Sequence, residues 1–215
     1  AASDVYKRQA QYDPNGTLYY NLKIDGTCSD YVMTTAIDRT QGTPDIYLGG
    51  MTTSTQCNFY STSGTTIVGT IGAFGTSQTG MIARYDNSGT FKYATRFGTT
   101  GTTINVNSMA LDNSGNLYVG GQANGMFGIY NTNGTLNTTI GSVGGNNDGF
   151  VLKFNSAGSY LSTPVRIGGT NSEVINNLLK QICMILMGFQ LILQLVVQIL
   201  VLLYNIIQTE FSNIL

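Results

Sequence analysis

Gly80–Thr90 reads GMIARYDNSGT, and Gly149–Ser159 reads GFVLKFNSAGS. Each stretch is an apolar run with one basic residue (Arg84, Lys153) and an aromatic (Tyr85, Phe154), followed by a polar turn that ends in glycine. The two copies lie about 70 residues apart, which is the signature of a repeat architecture. An earlier copy of the same corner is QYDPNGT, Gln11–Thr17. Two further markers keep the same spacing. AIDRTQGTPDIYLGG, from Ala36 to Gly50, returns as ALDNSGNLYVGG from Ala110 to Gly121, and NFYSTSGTTIVGT, from Asn58, returns as GIYNTNGTLNTTI from Gly128. Three independent markers on one period exclude coincidence as the simplest account.

Within a unit, β-forming runs flank short turns rich in Asn, Ser and Gly. MIARY and FKYATRF border Asn87–Gly89, and SMALD and NLYVGG border Asn113–Gly115, the pattern of β-hairpins. Short strands at regular spacing point to a sandwich, a barrel or a propeller. Gly49–Gly50 and Gly120–Gly121 close the runs IYL and LYV, and the expectation there is a strand end where the backbone turns or packs closely. The expected fold class is mainly β, with propeller-like antiparallel units of about 70 residues, incomplete in number, followed by a hydrophobic C-terminal helix.

Composition narrows the chemistry. The chain has 215 residues, a net charge of −1 and 10% charged residues, so no basic surface awaits a nucleic-acid backbone. It has no His and only three Cys, which removes the usual parts of zinc sites and of Ser-His or Cys-His catalysis. A Cys28–Cys57 disulfide is open to an oxidising compartment, but two cysteines without framework spacing read as free buried thiols. Cys183 lies in a region of different composition.

The order GFVLKFNSAGS, then RIGGT, together with ALDNSGNLYVGG, resembles the bacterial β-propeller repeat of the SBBP type. The resemblance runs over roughly residues 11 to 178 and is best from Gly80 to Gly121. It departs in having no Trp in the second strand, where Tyr93 and Tyr160 are the nearest aromatics, and in a longer polar hairpin at residues 122–148. What the resemblance implies is a secreted or surface repeat scaffold and no particular reaction.

Asp112–Asn116 has the spacing of the start of a calcium loop, yet no bidentate Glu is found where such a loop needs one, and an Asx-type hairpin turn is the simpler reading. The sequons at Asn15, Asn133 and Asn137 are expected from Asn and Thr content alone. Asp38 and Asp112 share a column of the repeat. With Asp86 and Asp148 they are the carboxylates a propeller-borne lyase or hydrolase would use, although turn chemistry explains the shared column as well. No residue is assigned a catalytic, cofactor-binding or metal-binding role.

Both ends differ from the middle. Asp4–Gln9 is what GAT GTG TAT AAG AGA CAG encodes, a string that looks like a transposase mosaic-end adapter, so residues 1–9 read as an adapter-derived segment ahead of a repeat region at 10–177. From 178 to 215 the chain is apolar and nearly uncharged, long enough to span a bilayer, where about 20 apolar residues suffice. Shifted by one base with TTR leucine codons, Gln181–Gly188 instead gives a string close to Asn116–Gly121, within a few residues of where the period puts that strand. The tail therefore reads as frameshifted repeat, with a transmembrane helix as the alternative. The expected function is a non-enzymatic extracellular or cell-surface scaffold that binds a protein or carbohydrate, without nucleic acid or cofactor. A membrane enters only if the tail is genuine.

Overall fold

The computed structural model describes residues 7–176 apart from 13, 14, 17, 39–43, 143, 145, 162 and 163. The chain divides into two compact units, Ala1–Leu178 and Leu179–Leu215. The second, which holds most of the hydrophobic tail, lies outside the described residues, as do residues 1–6 of the adapter-like segment 1–9, whose residues 7–9 belong to the first strand. No helix occurs among the described residues, and so none there is long and apolar enough to cross a membrane.

The strands track the turn punctuation of the sequence: β1 Lys7–Tyr12, β2 Leu18–Gly26, β3 Asp30–Asp38, β4 Asp45–Thr52, β5 Cys57–Tyr60, β6 Ile67–Ile71, β7 Thr79–Tyr85 and β8 Phe91–Gly98. The second cycle continues with β9 Ile104–Leu111, β10 Leu117–Ala123, β11 Phe127–Tyr130, β12 Leu136–Ile140, β13 Asp148–Phe154 and β14 Val165–Ile167. The six strands β3 to β8 thus recur as β9 to β14. All pairings between these strands are antiparallel.

Sequence order and sheet order differ. The sheets run β1-β2-β5-β6, then β3-β4-β7-β8-β11-β12, then β9-β10-β13-β14. After β4 the chain leaves its own sheet, builds the β5-β6 hairpin on the outer edge of the preceding sheet at β2, and returns as β7. After β10 the same excursion places β11-β12 on β8. This corrects the reading of residues 122–148 as a long polar hairpin that departs from the repeat. Gln122 and Ala123 complete β10, and β11-β12 is the regular counterpart of β5-β6.

Two apolar clusters join the three sheets. Tyr20, Leu22, Ile24, Cys57 and Phe59 of the first sheet pack with Ile46, Leu48, Met81, Ala83 and Tyr85 of the second. On its opposite face the second sheet offers Tyr47, Ile82, Tyr93 and Phe97 to Ile104, Val106, Leu117, Val119, Phe150, Leu152 and Phe154 of the third. Successive side chains of a strand point to opposite faces, so Ile46, Tyr47 and Leu48 alternate between the two clusters. A strand buried on both faces shows no polar alternation, which is why β4 and β7 read as plain apolar runs.

The glycine pairs do not end strands. β4 and β10 run two residues past them, and Gly50 and Gly121 sit beside matching bulges, between Val32 and Thr34 in one unit and at Gly120/Gly121 in the other. What the pairs provide is close approach. A β-carbon on Gly50 would lie 1.8 Å from the Tyr31 carbonyl oxygen, and one on Gly121 would lie 1.9 Å from that of Asn105.

Candidate functional site

The hairpin corners engage two of the four carboxylates that the sequence offers for chemistry, Asp86 and Asp112. At Asp112, Oδ1 accepts the backbone N–H groups of Ser114 and Asn116, each at 2.9 Å, and Asn116 Nδ2 donates to Oδ2 at 2.9 Å. Gly115 completes the turn at φ 76°. This is an Asx turn closing a hairpin. The same bonds recur at Asp86, with Ser88 and Thr90, and at Asn155, with Ala157 and Ser159. Lys153 and Lys92 reach across from neighbouring strands to Asp112 (3.2 Å) and Asp86 (2.8 Å).

These bonds act on the ionised carboxylates. Slight desolvation would raise the Asp112 pKa, but hydrogen bonds from the Asn116 side chain and backbone, from Lys153 and from the Ser114 amide outweigh it and hold the group at about 2. Asp86 is held well below the usual carboxylate range in the same way, against its own desolvation, by Lys92, Ser88 and Thr90. Both folded pKa values lie below the unfolded value, so the stabilisation is complete above the unfolded pKa and is lost as pH falls through the folded one. Thermal unfolding followed by circular dichroism should therefore show stability falling from about pH 4 down to about pH 2, by about 1 kcal/mol per corner after allowance for solvent screening. The double variant Asp86→Asn, Asp112→Asn should flatten that part of the profile.

The other two candidate carboxylates stand elsewhere. Asp38 is buried at the end of β3, paired in register with Asp45. Asp148, at the start of β13, is buried with Arg166, whose Nη2 donates to its Oδ2 at 2.5 Å. Asp86 matches Asn155 in the repeat and Asp148 matches Thr79, so the four aspartates occupy three different columns and not a single ring. Among the described residues, no three of His, Cys, Asp and Glu come together in an arrangement that could hold a metal ion. Another buried carboxylate, Asp30, accepts from Thr52 Oγ1 at 2.5 Å and Ser54 Oγ at 3.1 Å. The paired Asp30 and Thr52 correspond to Ile104 and Ala123 in the next unit, so Asp30 occupies a position the repeat can fill with an apolar side chain. Cys28 and Cys57 are both free. Cys57 is buried, its thiol pKa pushed up first by burial, but Cys28 is exposed, contrary to the expectation of two buried thiols.

Among the described residues a cleft of about 300 Å³ opens where the β5-β6 hairpin of one sheet meets the outer strands of the next. Thr70 lines it from β6, Thr55 and Gly72 from the segments just before β5 and just after β6, Thr95 and Arg96 from β8, and Asn131 to Gly134 from the turn between β11 and β12. Arg96 is fixed from three sides. Its Nη1 donates to the Gly72 carbonyl, and the guanidinium lies 4.3 Å from the Phe74 ring centre and 5.1 Å from that of Tyr130. Thr95 Oγ1 donates to the Tyr130 carbonyl at 2.5 Å. Asn137 Nδ2 donates to Asn131 Oδ1, and Asn131 Nδ2 to Thr135 Oγ1, so the turn is held by its own amides.

The cleft thus presents hydroxyls, amides and backbone groups around one stacked cation. Such a surface suits a neutral ligand rich in hydrogen-bonding groups. Motif reading passes over Arg96, although a signal exists. Lys23, Arg96 and Arg166 occupy one column, and Lys23 lies 4.5 Å over Tyr60 as Arg96 lies over Tyr130. Sequon residue Asn133 lines the cleft, Asn137 supports its turn, and Asn15 sits at the β1-β2 corner.

Residues 92–128, from within β8 through β9 and β10 into β11, match the beta-propeller repeat family SBBP. No curated protein matches the chain.

Proposed function

We propose, from a chain that carries a beta-propeller repeat of the SBBP family at residues 92–128, a non-enzymatic binding scaffold that works outside the cell or at its surface. In this reading each sheet is a propeller blade, the repeat unit is about 70 residues, and each blade is finished by the hairpin of the following unit. The ligand is a neutral polar group of carbohydrate or protein origin, taken up between blades.

The observation that carries the reading is the cleft itself. It is lined by Thr55, Thr70, Thr95, Asn131 and Thr132 and holds no carboxylate, whereas Asp86 and Asp112 are engaged in holding hairpin corners and Asp148 in pairing with Arg166. A hydrolase or lyase on this frame would need carboxylates converging on one point, and the alternative is weakened by their separate columns. A membrane-anchored form of the scaffold would rest on residues 178–215, which lie outside the described residues.

The test is a glycan and peptide array screened with the whole chain, followed by calorimetry on any hit. Thr55→Arg and Thr132→Arg put a long cation into the cleft from exposed positions. Each should weaken binding at least about tenfold, the scale of one lost contact of about 1.4 kcal/mol, with the unfolding temperature unchanged. Hits unaffected by both substitutions would remove the cleft as the site.

A further inference from the structure

The reading of the cleft as a site for uncharged polar groups leaves its cation unused. Lys23, Arg84, Lys92, Lys153 and Arg166 each stand within ion-pair distance of an aspartate, respectively Asp25, Asp45, Asp86, Asp112 and Asp148. Arg96, which lines the cleft, has no carboxylate partner among the described residues. The repeat shows how this comes about. Lys23, Arg96 and Arg166 share a column, and in the unit of Arg96 the registers put Gly98 where Asp25 stands and Thr79 where Asp148 stands. Both acids are thus replaced by uncharged residues in the unit whose cation reaches the cleft.

Thr79 has a different task from Asp148: its Oγ1 accepts the Phe74 N–H at 3.2 Å. This fixes the segment whose ring, 5.0 Å from that of Tyr130, lies beside the Arg96 guanidinium. Arg96 Nη1 donates to the Gly72 carbonyl. All these contacts are with neutral groups, so they hold the guanidinium in place and leave its charge uncompensated. The other N–H groups of a guanidinium form a planar fork whose geometry matches a carboxylate.

We infer that the ligand of the cleft is an acidic saccharide, a hydroxyl-rich ring bearing a carboxylate that pairs with Arg96. This rests on the cleft being the binding site, and it adds a negative charge to the uncharged groups that the walls take. Thr55, Thr70, Thr132 and Asn133 supply hydroxyls and a carboxamide, groups that both donate and accept and so suit sugar hydroxyls. At about 300 Å³ the cleft stands at the small end of ligand pockets, the size for a short saccharide.

The probes are short oligomers of glucuronate, galacturonate and mannuronate, each set beside the same oligomer with its carboxylates reduced to neutral alcohols. Calorimetry with the full chain at about 50 mM salt should show at least one acidic oligomer binding about tenfold tighter than its reduced counterpart, an advantage that shrinks at about 500 mM salt. Arg96→Gln should bring that ratio to about one, and so should Thr79→Asp, which offers Arg96 the carboxylate that Asp148 offers Arg166. The ratio compares two ligands on one protein, and in the unchanged chain it needs no variant to fold. A ratio of about one there overturns the inference and leaves the cleft as a site for neutral ligands. A preference that survives Arg96→Gln overturns it by placing the charge reading elsewhere, and equal affinity for tetraglutamate overturns it by showing that the charge is read without the sugar. Absence of binding by every oligomer up to about 10 mM also overturns it. Array hits that ignore Thr55→Arg and Thr132→Arg remove the cleft and this ligand together.

Discussion

Gly121→Ala is expected to cost more than about 3 kcal/mol, a loss reserved for a few mechanisms of which a backbone clash is one. The added methyl would sit 1.9 Å from the Asn105 carbonyl oxygen and 2.9 Å from the Phe150 ring. The ring can tilt, but the carbonyl belongs to β9 in the same ladder. Relief therefore requires separating β9 from β10 at the bulge, with loss of the bonds on either side. Urea unfolding read by tyrosine fluorescence, in a chain without Trp, should show the midpoint collapse. Gly141→Ala is the comparison, since nothing lies within 4 Å of its would-be methyl; there the change should be neutral or stabilising by up to about 1 kcal/mol. Equal effects at the two positions would show that the close approach at Gly121 is not what its glycine is for.

Phe97→Ala should cost about 3–5 kcal/mol, the usual range for a buried aromatic. Phe97 has no exposed surface and lies 6.1 Å from the Phe150 ring centre and 6.3 Å from that of Phe154. With Tyr47, Ile82 and Tyr93 it belongs to the face that the second sheet presents to the cluster shared with the third. Truncation leaves a hole between two sheets that backbone pairing does not connect, so little can collapse to fill it. Phe97→Leu keeps most of the apolar contact and should cost about 1 kcal/mol. Thermal unfolding of the pair separates loss of packing from loss of any specific ring geometry. A small effect for Phe97→Ala would mean that the sheets are not held by this cluster.

Local features were legible in the sequence, and non-local ones were not. The corners could be read because Asp, Asn, Ser and Gly at fixed offsets encode a turn with their own side chains and a left-handed glycine such as Gly89. The strands between them came from the corners and the period. The hand-over of hairpins between sheets could not be read, since nothing in Cys57–Tyr60 says that its partner is β2 and not β4. The burial of β4 and β7 on both faces was visible only as missing alternation, which a buried helix segment would share. Of the cleft, the sequence showed the hydroxyls and amides everywhere and hence nowhere in particular. Arg96 was recoverable only by stacking the three units and noticing that a cation in one column goes with a tyrosine in another.

The excursion of each hairpin to the preceding sheet has a consequence for how such a gene can grow or shrink. Every complete sheet draws strands from two successive repeats, so a deletion of less than one period leaves some sheet with a vacant edge or a duplicated strand. A gain or loss of one full period leaves all pairings filled wherever the crossover falls, because the register of one copy is the register of the next. Recombination between copies is therefore tolerated at any phase but only in whole units, and length variants among such proteins should differ by integral multiples of the repeat.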